Sequence, residues 1–358
     1  MKHRPIRLLL LEGDPFDRGA AHGAAYHNEI RRYTSERVRL SANGSWAGRP
    51  ATASDALLLA EKMLPAHRSY APDLFEELEG LARTSAISLA EAVIVGGFTD
   101  FVDAVRAQGA VPLVEEDDCT SVMAPPGATE DSGLFGQTWD MHDSATEHVS
   151  LIRVVPAAGP RALIFTTVGC LGQIGLNSAG ISVGINNLVA ADGGVGVTWP
   201  FVVRKVLQQT NLEAALACVL DADLAGGHNY LLMDQNGKGY NIEAMPGHRA
   251  VTALGDDPLI HTNHCLDPEA RAREAVRPAD LLASSEARLA KATELMRVRP
   301  ITPEDLMALT RDPEAICRRS NAPHHNESSG AAIMRPSSGE FWACWGVPAD
   351  NEYESFTV

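Results

Sequence analysis

Six cysteines occur in the chain, and Cys119 differs from the others in its surroundings. It follows the acidic run 115–118 and precedes two hydroxyl residues, whereas Cys218 lies between apolar neighbours, as a small buried thiol usually does. The six are spaced too widely for a Cys-x-x-Cys metal or redox motif, and in a reducing compartment they should be free thiols. A thiol acts as a nucleophile when a base lies within reach. Its sequence context alone leaves two interpretations of Cys119, a buried structural thiol and a catalytic nucleophile.

A carboxylate is predicted to lie beside this thiol. Short β-type runs cover residues 119–124 and 134–141, and the turn-forming residues between them indicate a hairpin. Neighbouring strands lie about 5 Å apart, so a residue near the end of one strand meets a residue near the start of the other. Asp140 can therefore reach Cys119.

The histidines suggest a competing hypothesis, a metal site. His261 and His264 form one close pair, and His324 and His325 form another. On a strand, the first pair would point to opposite faces, which prevents chelation. The second pair lies in a polar loop, and we interpret it as a solvated or substrate-gating loop. The glycines at 193–196 lack the Lys-Ser/Thr of a phosphate-binding loop, so neither a metal nor a cofactor is expected.

The elements that must position these residues alternate between helical and β-type patterns. Apolar periodicity predicts helices over 13–40, 57–64, 74–83, 93–105, 200–209, 212–220, 268–297 and 303–310, and strands over 119–124, 134–141, 149–155, 162–168, 181–185, 230–234, 240–244, 251–254, 259–262 and within 331–347. Gly19 and Gly23, four residues apart, would let another element approach the first helix closely. Strands, two helices and strands again favour an α+β fold in which two antiparallel sheets stack with helices outside.

Composition limits the partners. With 358 residues and 45% hydrophobic content, the chain can bury a large core, as one large domain or as two that pack intimately. A formal charge of −16 would repel a phosphate backbone, so no nucleic acid is expected. The only apolar run near the N-terminus, residues 8–11, is too short for a signal peptide or a membrane span. We expect no membrane association and a cytoplasmic location.

Several short motifs, in their order along the chain, resemble the family of acyl-coenzyme A:6-aminopenicillanic acid acyltransferase (isopenicillin N acyltransferase), which belongs to the N-terminal nucleophile hydrolases. Each motif is weak alone, but their shared order is specific. They are found at residues 13–15 with Gly19 and Gly23, and at 78–82, 119–121, 136–140, 175–180, 184–186, 241–243, 261–264 and 316–318.

The resemblance implies an αββα four-layer sandwich made as a precursor. The Cys119 thiol would attack the carbonyl of Asp118, and an N-to-S acyl shift followed by hydrolysis would make Cys119 a new N-terminus. The cleavage would separate a mainly helical N-terminal segment, 1–118, from the catalytic core, 119–358, and the segment would stay as a non-covalent partner. A free α-amine titrates near pH 7.7 to 8.0, so it can serve the thiol as a base at neutral pH.

The resemblance also assigns roles to side chains. It implies that Asp140 orients the new amine and the thiol, that Asn263 bonds near the amine or the oxyanion, and that Asn186 helps to form the oxyanion hole. Arg318 matches a family arginine near the same carboxylate, with Arg319 as the alternative register.

Two departures from the family pattern stand out. Related bile-salt hydrolases carry an arginine where this chain has Gln137, which speaks against a bile-salt-like site. Asp118 replaces the glycine of the penicillin enzyme, so the strained conformation needed for cleavage should be harder to adopt and cleavage slow.

We therefore predict an amidohydrolase that cleaves a linear amide of a small molecule through an acyl-enzyme on Cys119. An N-acyltransferase that uses a coenzyme A thioester or another amine is the nearest alternative. A catalytically inactive ligand-binding homologue and a metal-dependent amidohydrolase are weaker alternatives. The identity of the substrate and a homo-oligomeric state stay open.

Overall fold

The computed structural model describes residues 4–44, 50–109, 118–130, 132–322 and 325–358. The acidic residues before position 118 and His324 therefore lie outside the described residues. The helices are α1 Pro15–Ala25, α2 His27–Asn43, α3 Ala53–Tyr70, α4 Pro72–Ser85, α5 Leu89–Gly96, α6 Phe98–Ala107, α7 Trp199–Val206, α8 Leu212–Leu220, α9 Pro268–Arg271, α10 Ala279–Leu295 and α11 Pro303–Thr310. The strands are β1 Leu8–Gly13, β2 Ser121–Ala124, β3 Leu134–His142, β4 Val149–Pro156, β5 Ala162–Thr167, β6 Ile174–Asn177, β7 Ser182–Leu188, β8 Gly227–Met233, β9 Gly239–Met245, β10 His248–Ala253, β11 Leu259–His261, β12 Asn326–Arg335, β13 Glu340–Trp345 and β14 Tyr353–Thr357.

These strands form two sheets. The eight-stranded sheet has the order β1-β4-β5-β6-β7-β8-β9-β10, and the six-stranded sheet has the order β11-β2-β3-β12-β13-β14. Neighbours are antiparallel except at one edge, where β1 runs parallel to β4. The N-terminal segment thus contributes a strand to the core sheet, beside the helices α1 to α6.

Buried polar and aromatic contacts join the two sheets face to face. The side-chain oxygen of Gln137 on β3 accepts a hydrogen bond from the backbone nitrogen of Ile185 on β7 at 3.0 Å, and the amide nitrogen of Gln137 donates to the carbonyl oxygen of Ile185. A Cβ placed on Gly184 would lie 2.2 Å from the ring of Phe135, so a glycine is required where the sheets meet. The side chain of Gln137 therefore joins the two sheets through both of its polar atoms.

Helices cover both outer faces. Helices α7 and α8 contact β7 and β8 of the eight-stranded sheet. Helices α10 and α11 cover the six-stranded sheet, where Ala292 and Leu306 share an apolar cluster with Val122, Leu134 and Ile333. The order helix, sheet, sheet, helix confirms the predicted αββα sandwich. In the part of the chain that the structure describes, no helix is both long enough and apolar enough to cross a bilayer.

Helices α1 and α4 cross with their backbones in contact. A Cβ on Gly19 would lie 1.7 Å from the carbonyl oxygen of Glu77, and a Cβ on Gly80 would lie 2.1 Å from that of Phe16. A larger residue at either position would force the helices apart. This contact confirms that the pair Gly19 and Gly23 lets another element approach closely.

Four features differ between the predictions and the structure. The helix predicted over 93–105 is divided at Gly97 into α5 and α6. The helix predicted over 268–297 is divided into α9 and α10, and Pro278 immediately precedes α10 because proline cannot continue a helix through its missing N–H. The helix predicted over 13–40 is divided at Tyr26. Strands β1, β6 and β14 were not predicted, and β1 is recognisable only from its pairing with β4, which lies far along the chain.

Candidate active site

The pairing of β2 with β3 places Asp140 opposite Asp118. The register joins Ser121 to Gln137, and it continues backwards beyond β2 through the hydrogen bond from the backbone nitrogen of Thr138 to the carbonyl oxygen of Thr120, at 3.0 Å. One step further, the backbone nitrogen of Asp140 donates to the carbonyl oxygen of Asp118 at 2.8 Å. The hairpin read from the sequence thus brings Asp140 beside the peptide that joins Asp118 to Cys119.

Hydrogen bonds hold this peptide on both sides. Its nitrogen, on Cys119, donates to the side-chain oxygen of Asn263 at 2.7 Å, and its oxygen, on Asp118, accepts from Asp140. The next carbonyl, that of Cys119, accepts from Nη1 of Arg288 at 2.5 Å. Cys119 itself is fully buried. Donors and acceptors from three distant parts of the chain therefore converge on a single backbone segment.

Asn263 is fixed by its own bonds. Its backbone nitrogen donates to the hydroxyl of Ser285 at 2.9 Å, and its amide nitrogen donates to the carbonyl oxygen of Asn187 at 3.1 Å. These two bonds leave the side-chain oxygen directed at the nitrogen of Cys119. Of the two positions that the sequence left open for Asn263, the structure places it at the nitrogen.

Asn186 lies on β7 and faces the β2–β3 hairpin. Its amide nitrogen donates to the hydroxyl of Ser121 at 3.0 Å, and its side-chain oxygen accepts from Asn229 at 3.3 Å. Asn229 in turn donates to Asn241 at 2.7 Å. Asn186 thus contacts the residue that lies two positions after Cys119, and it belongs to a buried network of asparagines.

Asp140 is fully buried beside Arg288. Burial raises the pKa of Asp140 to about 7, and the Arg288 guanidinium, with the hydroxyls of Ser328 and Thr138, opposes only part of that effect. A carboxyl group with such a pKa is near the midpoint of its titration at neutral pH. Its charge therefore responds to any new cation created nearby.

This raised pKa predicts a pH-dependent gain in stability for Asp140→Asn. An unfolded chain ionises Asp140 near pH 4, whereas the folded chain keeps it protonated up to about pH 7, so rising pH favours unfolding across that interval. In a Cys119→Ala background, we expect Asp140→Asn to raise the free energy of unfolding relative to its parent, by an amount that grows from pH 4 to 7 to at most about 4 kcal/mol and then stays level.

Urea unfolding at several pH values measures this difference, and the exposed Asp256→Asn variant is the control. A gap between Asp140→Asn and its parent that is the same at pH 4 and pH 8 would show that the carboxyl group is not perturbed.

Arg318, and not Arg319, faces the site. Arg318 forms an ion pair with the carboxylate of Asp118, and its side chain is 30% exposed. Arg319 points outward and forms an ion pair with Asp350. Arg318 thus faces the site and Arg319 does not, but the ion pair formed by Arg318 is with Asp118 and not with Asp140, the carboxylate that the resemblance implies.

The sequence did not identify Arg288 as part of this site. This arginine on α10 is fully buried, and its Nη2 contacts the carboxylate of Asp118 at 2.7 Å. A signal was present, because Leu281, Ser285, Arg288 and Ala292 form one helical face at spacings of three and four. An arginine on the inner face of a helix requires a buried partner. That partner, Asp118, lies 170 positions earlier in the chain.

The histidines bond to protein groups. Nε2 of His261 lies 2.7 Å from the carboxylate of Glu243, and Nδ1 of His264 lies 2.7 Å from the hydroxyl of Ser285. His325 lies at the surface, 3.6 Å from the carboxylate of Asp143. Within the described ranges, no three His, Cys, Asp or Glu side chains are grouped as ligands for a metal ion.

Comparison with known proteins identifies the family. The model of the family "Acyl-coenzyme A:6-aminopenicillanic acid acyl-transferase" matches residues 128–350, which is more than half of the chain. A curated relative, the 40 kDa form of acyl-coenzyme A:6-aminopenicillanic-acid-acyltransferase from Emericella nidulans, is 25% identical over 258 residues, covering 71% of this chain and 68% of the relative.

Comparison with solved structures gives matches of low similarity, two of which follow. A variant of conjugated bile acid hydrolase from Clostridium perfringens has a TM-score of 0.46 and 11% identity, over 67% of this chain and 97% of the other. Penicillin V acylase from Agrobacterium tumefaciens has a TM-score of 0.34 and 11% identity, over 64% of this chain and 76% of the other.

The match of the family model covers strands β3 to β13 and helices α7 to α11. Strands β1, β2 and β14 lie outside it, as do Asp118 and Cys119. The family and its curated relative are enzymes, and this chain is an enzyme acting on carbon–nitrogen bonds other than peptide bonds, as a hydrolase or an acyltransferase. The chain belongs to the acyl-coenzyme A:6-aminopenicillanic acid acyl-transferase family.

Proposed function

We propose that the chain is a precursor that cleaves its own peptide bond between Asp118 and Cys119 and then hydrolyses a linear amide through a thioester on Cys119. The observation that supports this most directly is the set of hydrogen bonds around that peptide. Asp140 donates to its oxygen, and Asn263 accepts from its nitrogen. These are the two atoms whose charge changes when a thiol displaces the nitrogen.

In the self-cleavage step, the thiol of Cys119 adds to the carbonyl carbon of Asp118. Negative charge develops on the oxygen that the backbone N–H of Asp140 already contacts, so this donor stabilises the oxyanion. The carbon–nitrogen bond breaks, the nitrogen takes a proton and becomes the α-amine of Cys119, and a thioester remains. Water then hydrolyses the thioester, which leaves a carboxylate on residue 118 and restores the thiol.

In turnover, the new α-amine accepts the proton of the thiol, and the thiolate attacks the carbonyl carbon of the substrate amide. The leaving amine takes the proton, and water hydrolyses the resulting thioester. The side-chain oxygen of Asn263, now beside an amine, would orient it. The new ammonium would also favour the ionised form of the nearby Asp140, and Asn186 would contribute to the oxyanion hole.

Buried contacts would hold the N-terminal segment in place after cleavage. The carboxylate of Glu77 forms ion pairs with Arg18 on its own side at 3.0 Å and with Arg204 of the core at 2.8 Å. The carboxylate of Asp100 accepts from the backbone nitrogen of Trp199 at 2.7 Å. Together with the β1–β4 pairing, these contacts support a heterodimer made of the two pieces of one chain.

The intact mass of the purified protein tests the cleavage. We expect two polypeptides, with the larger beginning at Cys119, which separate on a denaturing gel and elute together in gel filtration. A fully active preparation that consists of one continuous chain would contradict the proposal.

An acyltransferase is the alternative, and an added amine acceptor distinguishes it. Hydrolysis requires no second binding site, so we expect product without an acceptor. Product that forms only when an amine or thiol acceptor is present would assign the chain as a transferase.

A further inference from the structure

Asp118 supplies the acyl group in the self-cleavage proposed above. The surroundings of its side chain therefore indicate which acyl groups of a substrate the site binds. For the thiol of Cys119 to attack it, the carbonyl of residue 118 must lie where a substrate carbonyl lies later. The inference below therefore rests on the proposed function and extends it to the class of acyl group.

Two guanidinium groups contact the carboxylate of Asp118. Nη2 of Arg288 lies 2.7 Å from one carboxylate oxygen, and Arg318 forms an ion pair with the other. The Arg288 side chain is 1% exposed and the Asp118 side chain 2%. We call Arg288 and Arg318 the acyl-side arginine pair. Hydrogen bonds from planar, positively charged guanidinium groups to a carboxylate recognise carboxylates specifically.

Arg288 has anchors that do not depend on Asp118. Its Nη1 donates to the carbonyl oxygen of Cys119 at 2.5 Å and lies 3.4 Å from the hydroxyl of Thr120. Both residues belong to the core after cleavage, so Arg288 should keep its position when residue 118 leaves. When the cleaved end at Asp118 moves out of the site, two guanidinium groups lose its carboxylate as a counter-anion. Because Arg288 is buried, the loss of this ion pair costs free energy.

We propose that the acyl-side arginine pair binds a substrate carboxylate two carbons beyond the reacting carbonyl. In Asp118, the carboxylate carbon is separated from the backbone carbonyl carbon by Cα and Cβ. An N-succinyl amide has this spacing, and so does an amide of an α-linked aspartyl group. The net charge of −16 would repel anions at long range, so such a preference would arise from the local pair.

Matched substrates test this preference. N-succinyl and N-butyryl p-nitroanilides have acyl chains of the same length and differ in the terminal carboxylate. With the mature wild-type enzyme, we expect kcat/KM for the succinyl amide to exceed that for the butyryl amide by about 10- to 100-fold, as is usual for charge-assisted hydrogen bonds. Arg318→Gln should reduce this ratio towards one, and Arg319→Gln, its neighbour at the surface, should leave the ratio unchanged.

The outcomes separate the two proposals. A chain that is never cleaved contradicts the proposed function itself. A cleaved enzyme that fails to hydrolyse the succinyl amide, or that prefers the butyryl amide, overturns the inference about the acyl group and leaves the self-cleavage intact. A ratio that does not change in Arg318→Gln also overturns it.

Discussion

Cys119→Ala is expected to remain one continuous chain of 358 residues and to show no detectable amide hydrolysis. The variant lacks the sulfur that would attack the carbonyl of Asp118, so neither the acyl shift nor the thioester can form. Loss of a covalent nucleophile typically reduces turnover by about 10⁶-fold, the largest effect expected for any single side chain here. Intact mass and an amidase assay on the same preparation measure both consequences.

Cys344→Ala is the matched control for this result. Cys344 is equally buried and lies on β13 of the same sheet. Its loss should affect stability and leave cleavage at Cys119 intact. Cleavage in the Cys119→Ala variant, or loss of cleavage in Cys344→Ala with the fold retained, would be incompatible with Cys119 as the nucleophile.

Arg288→Met is expected to lower the free energy of unfolding of the uncleaved chain by about 3 to 5 kcal/mol, because it leaves the buried carboxylate of Asp118 without one of its partners. The same change removes the donor to the carbonyl oxygen of Cys119. Urea unfolding in a Cys119→Ala background measures the effect on the continuous chain.

A second substitution separates loss of the ion pair from loss of packing. Adding Asp118→Asn to Arg288→Met removes the buried charge, so part of the lost stability should return. Arg297→Met, which changes an exposed arginine just beyond α10, should alter stability by less than about 0.5 kcal/mol. If Arg288→Met has an effect as small as Arg297→Met, the ion pair with Asp118 does not contribute to stability.

Gln137 illustrates how a sequence difference acquires a physical meaning. The resemblance marked Gln137 as a departure from the arginine that it implies for related bile-salt hydrolases. In the structure, both polar atoms of its side chain bond to the backbone of Ile185 across the two sheets. A charged side chain at this buried position could not make the same pair of bonds, so Gln137 serves the contact between the sheets.

Local patterns in the sequence were sufficient to predict the β2–β3 hairpin and the layers of the fold. Alternating apolar residues and turn residues predicted β2 and β3, and a two-residue period fixes which positions on a hairpin lie opposite each other. The proximity of Asp140 to Cys119 follows from that register. The αββα order was likewise predictable, because each helix or strand reveals its buried face through its own spacing.

The resemblance pointed to Asn263 and Arg318, but only the tertiary structure showed what each of them contacts and added Arg288. Asn263 lies 144 positions from Cys119 and Arg288 lies 169 positions from it, and no local period records such a pairing. Arg318 and Arg319 are neighbours, and the path of the chain before β12 decides which of the two side chains points inward. A sequence specifies local geometry through sterics and spacing, whereas contacts across the core exist only after the layers have packed. This packing brought Asn263, Arg288 and Arg318 to residues 118 and 119.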